Sequence, residues 1–223
     1  AEMSSFIYMK ILESQPDRYD RGITILSLGA ADRVVEQLMS DAVRQGDAVL
    51  DIGCGTGRAA ILAGGRGAHV VGFDISPGML SVARREIDAA GLSKSIELRE
   101  MGISGMDTLG SERFDVVSST LVFSELSADE QAFTLSQAFR VLKPGGRLVL
   151  ADEVRPDGVL RRLAHAIVRL PLLVVTYVLT QTTTRAVVGL PERIEAAGFE
   201  VVTAKRYALG SFLGVVAAKR APA

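Results

Sequence analysis

The sequence predicts an α/β fold in which a mostly parallel, seven-stranded sheet is covered by helices on both faces. Three observations predict it. Apolar stretches of strand length recur along the chain, and helical patterns stand between them, the order that builds and covers a parallel sheet. A glycine-rich bend directly after the first stretch marks the strand-to-helix corner of such a unit.

Residues 23–43 carry Leu28, Val34, Val35, Leu38, Met39 and Ala42 at helical spacing and read as an amphipathic helix leading into the sheet. The first strand is Ala48-Val49-Leu50-Asp51-Ile52, followed by strands at 69–73, 96–99, 114–117 and 147–151. The helix after the second strand takes Ser76 as N-cap, Pro77 as first residue and Gly91 as stop. A later helix opens on the capping box Ser127-Ala128-Asp129-Glu130 and is expected to bury Ala132, Leu135, Phe139 and Leu142. Lys143-Pro144-Gly145-Gly146 then turns the chain. Residues 191–197 with Gly198 read as a short capped helix, and strands at 200–203 and 212–216 follow, with a loop near Gly210.

The segment 155–188 does not fit the repeating unit. Its apolar core is broken by His165, Arg169 and Pro171, and it lacks the roughly 20 apolar residues that a membrane span needs, so it reads as a kinked helical insertion after the fifth strand. No repeat, linker or low-complexity stretch divides the 223 residues, and one domain is expected. Its parts are an N-terminal helical cover at 1–45, a core at 46–153, a substrate-lid insertion at 154–189, and a C-terminal helix with strands at 190–223.

Composition mainly excludes. Lys and Arg number 25 against 26 Asp and Glu, a net charge of −1, so the chain lacks the clustered positive charge by which proteins hold nucleic acid. The single cysteine, Cys54, excludes an internal disulfide and a multi-cysteine metal site, and no metal is expected. The sequence opens without a basic and apolar leader, which points to the cytoplasm. No transmembrane segment is expected, although 170–179 admits weak peripheral contact with a membrane.

The chemistry lies in Asp51-Ile52-Gly53-Cys54-Gly55-Thr56-Gly57. Glycines at this bend let the backbone turn tightly and let a ligand lie against peptide groups that a Cβ would obstruct. Asp74 ends the second strand, where an acidic side chain accepts the hydroxyls of a ribose, so a nucleoside is implied. The dinucleotide pattern G-x-G-x-x-G would need glycine where Arg58 stands; the glycines run G-x-G-x-G instead, which favours S-adenosylmethionine (SAM) over NAD. A nicotinamide-linked oxidoreductase is the disfavoured alternative.

With these residues the chain resembles the Rossmann-like class I SAM-dependent methyltransferases, in particular the type 11 group that includes the ubiquinone and menaquinone C-methyltransferases. The likeness is carried by 49–57, by Val71-Gly72-Phe73-Asp74-Ile75-Ser76-Pro77-Gly78-Met79-Leu80, by Phe114-Asp115-Val116-Val117, by 140–148 and by Ala196-Ala197-Gly198-Phe199. Residues 9–14, 16–22, 121–126 and 179–185 further look like the corrinoid-protein-associated methyltransferases, which implies a corrinoid protein as partner. The single cysteine separates the chain from the arsenic methyltransferases, which use several.

The resemblance implies a SAM-dependent methyltransferase acting on a small, partly apolar molecule and releasing S-adenosylhomocysteine. The alternative is a non-catalytic SAM-binding accessory or sensor of a corrinoid system. Asp51, Gly53, Cys54, Gly55 and Gly57 would hold the methionine part, with Cys54 packing, Asp74 would hold the ribose, and Ile75 and Met79 would face the adenine. Many relatives bind the adenine amino group through an acidic residue where this chain has Gly102, so Gly102 and the Ile103 amide, or Glu100, are expected there. Ser119 and Thr120, after the fourth strand, complete the cofactor set.

Glu125 follows an apolar run at the carboxyl edge of the sheet, where open α/β folds bind ligands, and is the sharpest catalytic candidate; the alternative is a carboxylate favoured by a helix N-terminus. Tyr8 and Tyr19 are further catalytic candidates, and Tyr19-Asp20 resembles a pair that closes over the cofactor, or else forms a surface turn. Arg18, Phe123, Ser124, His165, Arg169 and Tyr177 are expected to touch the acceptor, His165 and Arg169 sharing one helix face that would suit an anion or plain solvent.

Overall fold

The computed structural model describes residues 30–154, 187–207 and 210–220. In chain order these form α1 (Ala30–Ala42), β1 (Ala48–Ile52), α2 (Arg58–Gly65), β2 (His69–Asp74), α3 (Pro77–Ala89), β3 (Ile96–Glu100), a 3-10 helix (Ile103–Thr108), β4 (Phe114–Thr120), α4 (Ala128–Val141), β5 (Leu142–Glu153), α5 (Leu190–Ala196), β6 (Phe199–Tyr207) and β7 (Phe212–Lys219). The strands make one sheet in the order β3-β2-β1-β4-β5-β7-β6. Strands β1 to β5 run parallel, and β7 is antiparallel to both of its neighbours.

Alternation along the strands sends side chains into two cores. Val49, Val70, Val116 and Val149 pack with α1 and α2, and with Ala83 and Ile87 of α3. Leu50, Phe73, Val117, Leu148 and Leu150 pack on the other face with Leu135 and Val141 of α4 and with Leu190 and Ile194 of α5. The β strands are therefore apolar on both sides, as buried parallel strands must be.

The caps expected at Ser76 and Ser127 are both present. The Ser76 hydroxyl accepts from the Met79 amide, and Ser127 and Glu130 form the reciprocal capping box. Two expectations are corrected. The turn at 143–146 is a bulge within β5: Leu142 pairs with Phe114 and Arg147 with Val116, so the chain loops out between two ladder positions, with Gly145 at φ +75°. In α4, Ala132 faces outward while the polar Gln131 and Thr134 turn inward beside Leu135 and Ala138, and Leu142, expected on the helix, is the first residue of β5.

At its carboxyl end β5 is held by a bond from the Val154 amide to the Ser211 carbonyl, and Val154 bridges to Val187, whose amide reaches the Glu153 carbonyl. The chain thus returns to the sheet beside the point where it left. The expected insertion lies outside the described residues apart from its last two positions, as does the start of the expected N-terminal helix. Among the described residues no helix is long and apolar enough to cross a membrane.

Gly72 on β2 is the tightest link between this sheet and the bend after β1. A Cβ there would stand 3.1 Å from Cys54 Cβ, 3.2 Å from its Sγ and 3.1 Å from Leu98 Cδ2. Gly72→Ala is expected to overpack this contact and to lower stability by about 1–3 kcal/mol in urea denaturation; an unchanged midpoint would contradict the packing.

Candidate active site

The helices after β1 and β4 lie on opposite faces of the sheet, so the neighbouring strands β1 and β4 open a crevice at their carboxyl ends. One wall is the bend 53–57. Gly53, Gly55 and Gly57 hold φ of +62°, +52° and +85°, the left-handed region in which other residues are strained. A Cβ on Gly53 would strike Val122 Cγ2 at 2.5 Å, whereas a Cβ on Gly55 would meet no described residue within 4 Å. The bend therefore abuts the loop after β4 at one glycine and presents open backbone at another. Two bonds tie it to β2: Cys54 N–H donates to the Phe73 carbonyl, and Gly55 N–H donates to Asp74 Oδ2, each at 2.9 Å.

Asp74 also accepts from Ser76 N–H through Oδ1 at 2.9 Å. Each carboxylate oxygen has a second lone pair, so both remain able to accept a ligand hydroxyl. Burial raises its pKa, and the Ser76, Gly55 and Ile75 amides pull the other way. Asp51, near the end of β1, is 1 % exposed; its Oδ1 accepts from the Ser118 hydroxyl at 2.7 Å and the Ala60 amide lowers its pKa, while its Oδ2 is buried with no hydrogen bond within 3.5 Å among the described residues. Burial, reinforced by the Asp74 charge and opposed by Ser118, raises Asp51 from 3.8 to about 7. The Cys54 side chain packs against Gly72, and burial pushes its thiol up, which keeps it neutral and structural.

The opposite wall is the loop after β4. Glu125 lies at its rim with an exposed surface, yet its carboxyl sits close enough to protein atoms that desolvation, followed by the charges of Asp152 and Asp74, raises it from 4.5 to about 7. The exposure of the residue lets solvent screen part of this effect. Asp152, buried at the end of β5, accepts from Ser124 N–H at 3.3 Å and Glu153 N–H at 2.7 Å; burial lifts it to about 6. Asp152 was not among the sequence candidates, although it ends an apolar strand just as Asp74 does. Among the described residues no group of three or more His, Cys, Asp or Glu could hold a metal ion.

The remaining candidates distribute unevenly. Ile75 is 56 % exposed, and its Cδ1 lies 3.7 Å from where a Gly102 Cβ would be, so the two make one open apolar surface. Ile103 begins the 3-10 helix and packs half-buried on the core, and Glu100 is exposed at the end of β3. Met79 is buried in α3. Ser119 is 1 % exposed with no hydrogen bond to its hydroxyl, and Thr120 is half-buried beside it. The Ser124 hydroxyl is likewise buried, and it lowers the pKa of the neighbouring Asp152 carboxyl. Phe123 is corrected: at 2 % exposure its ring fills the core beneath the loop and offers an acceptor no surface. Tyr8, Arg18, Tyr19, His165, Arg169 and Tyr177 lie outside the described residues. Two surface hollows, one lined by Ser40, Arg44 and Arg66 and one by Glu195, Phe199 and Arg220, sit at the amino ends of the parallel strands, away from this crevice.

These residues fit SAM. Among the described residues, a buried carboxylate oxygen on Asp51 without a hydrogen bond suits its ammonium group, the open backbone at Gly55 admits its methionine part, and Asp74 keeps lone pairs for ribose hydroxyls.

Comparison with known proteins agrees. The methyltransferase domain family matches residues 49–146. A methyltransferase of Synechocystis sp. is 30 % identical over 193 residues, covering 85 % of this chain and 84 % of that one. A demethylmenaquinone methyltransferase of Symbiobacterium thermophilum is 31 % identical, covering 66 % of this chain and 59 % of its own length. The chain spans about three fifths of the length of three demethylmenaquinone methyltransferases it matches and 44 % of two others. In fold, a solved SAM-dependent methyltransferase from Aquifex aeolicus superposes with a TM-score of 0.62 at 20 % identity, over 93 % of this chain and 98 % of that one.

Three acids with raised pKa values give a signed expectation. Asp51, Glu125 and Asp152 bind protons more tightly folded than unfolded, so their contribution to stability is full below about pH 4 and is lost as pH rises through about 6–7. A bound cation reverses this, so calorimetry from pH 5.5 to 8 is expected to show SAM affinity rising with pH. S-adenosylhomocysteine, which lacks the sulfonium charge, should gain less, and Asp51→Asn should flatten the rise; equal affinity at both ends would contradict the assignment. The bend, the two acids that flank it and the likeness to known methyltransferases converge on one conclusion: the chain belongs to the class I SAM-dependent methyltransferases.

Proposed function

We propose that this chain transfers the SAM methyl group to a small, partly apolar acceptor whose nucleophile loses a proton, with Glu125 as proton acceptor. The observation that carries the reading is the place of Glu125. It stands on the loop that touches the glycine bend, within electrostatic reach of Asp74, and a carboxyl with a pKa of about 7 takes a proton efficiently near neutrality.

When bound, SAM supplies a methyl on a cationic sulfur, open to in-line displacement. The chain contributes alignment and exclusion of water. On this reading the bend 53–57 and Asp51 orient the methionine part, Asp74 fixes the ribose, and Ile75 with Gly102 lies along the adenine. Glu125 holds the proton that the acceptor gives up. The five relatives named demethylmenaquinone methyltransferase support a hydroquinone-like ring as acceptor, since its hydroxyl must lose a proton to make the ring carbon nucleophilic. The same reading takes 1–223 as one methyltransferase domain with the cofactor held by 46–153. The corrinoid association finds no support in the names of these relatives, and of the segments that suggested it only 121–126 lies among the described residues.

Labelled SAM and a panel of short-chain hydroquinones test the proposal. Glu125→Gln is expected to lower kcat by roughly a hundredfold or more while SAM affinity holds. Asp74→Ala should weaken SAM binding by about tenfold or more, the loss of hydrogen bonds to a charged group. Full turnover in Glu125→Gln would sink the proton-acceptor role, and binding without turnover on any acceptor would favour the accessory reading.

A further inference from the structure

The loop 121–126 is fixed through its backbone. Leu121, a non-glycine residue at φ +60°, donates its N–H to the Ala151 carbonyl at 2.8 Å, and Glu125 N–H closes a turn onto the Val122 carbonyl at 2.9 Å. A further hold comes from Gln131, in the first turn of α4 and 7 % exposed. Its side-chain Nε2 donates to the Phe123 carbonyl at 2.7 Å and to the Leu126 carbonyl at 3.1 Å, the two carbonyls that bracket Ser124 and Glu125. Its Oε1 accepts from Arg193 Nη1 of α5 at 2.9 Å.

The orientation of this amide is forced, because carbonyls only accept and a guanidinium only donates. A buried amide is costly unless it is fully bonded, and an apolar residue of equal length would fill the same space. The polar choice here secures two specific carbonyls. We propose that Gln131, locked by Arg193, is a positioning residue for methyl transfer, setting where the Glu125 carboxyl stands in the crevice by fixing the Phe123 and Leu126 carbonyls.

The proposal rests on Glu125 as proton acceptor. The charged groups acting on Glu125 are Asp152 from β5 and Asp74 from β2, both carboxylates that favour its protonated form. A loosened loop would turn the carboxyl toward water and let its pKa fall toward the ordinary 4.5.

Carbon-13 NMR of Glu-labelled protein saturated with S-adenosylhomocysteine reads this directly, with the Glu125 signal assigned by its absence in Glu125→Gln. Gln131→Met and Arg193→Met are each expected to lower the Glu125 pKa by about one unit or more, and Arg193→Lys, which keeps a donor, to restore it. Turnover should fall by roughly tenfold to a hundredfold with the KM for SAM unchanged, the signature of a misplaced group rather than a lost site. An unchanged Glu125 titration in either folded Met variant overturns the proposal; if Gln131→Met does not fold, the Arg193 pair decides. The reading of Glu125 fails separately, by full turnover in Glu125→Gln, and that outcome leaves the titration to be judged on its own.

Discussion

The bond from the Gly55 amide to Asp74 Oδ2 fixes the rest of the crevice. It joins the bend after β1 to the end of β2, so neighbouring strands present one surface. The bend reaches that bond by passing through three left-handed glycines, and Cys54 can seat beneath it because Gly72 has no side chain. Local conformational freedom, close packing and ligand access are thus the same constraint seen at 53–57.

Charge is sorted along the strands. At their amino ends acids meet bases: Asp47 pairs with Arg147 and Asp115 with Lys143, each at 2.8 Å. At the carboxyl ends Asp51, Asp74, Glu125 and Asp152 form no ion pair among the described residues, and burial holds all four above the ordinary carboxylate range. Gathering acids this way costs stability near neutrality, and a cationic ligand offsets that cost. The arrangement makes sense for an edge that receives a sulfonium and an ammonium and then handles a proton.

Much of this was legible in the sequence, because period-2 and period-3.6 patterns reflect burial and because Ser76, Ser127 and the glycines of 53–57 signal backbone geometry directly. Asp51 and Asp74 stood out because each ends an apolar strand beside a recognisable motif. Asp152 carries the same signal without a motif and passed unnoticed. Ala132 and Phe123 misled for a related reason: apolar character alone does not say which direction a side chain takes. In α4 the inward place belongs to Gln131, whose polarity hid its burial, and beneath the loop the core claims the Phe123 ring. The 3-10 helix at 103–108 is too short to show a period, and β5 begins earlier than its apolar run because a glycine bulge carries strand geometry through 143–146.

The central claim is that the carboxyl ends of β1, β2 and β4 together form the SAM site, with the reacting sulfur turned toward Glu125. A crystal structure of the S-adenosylhomocysteine complex tests it most directly. Expected are ligand density along 51–57, ribose hydroxyls within hydrogen-bond distance of both Asp74 oxygens, the Gly55 amide bond intact, and the sulfur facing the loop 121–126. Ligand bound elsewhere, or bound at this edge with Asp74 untouched, would contradict it.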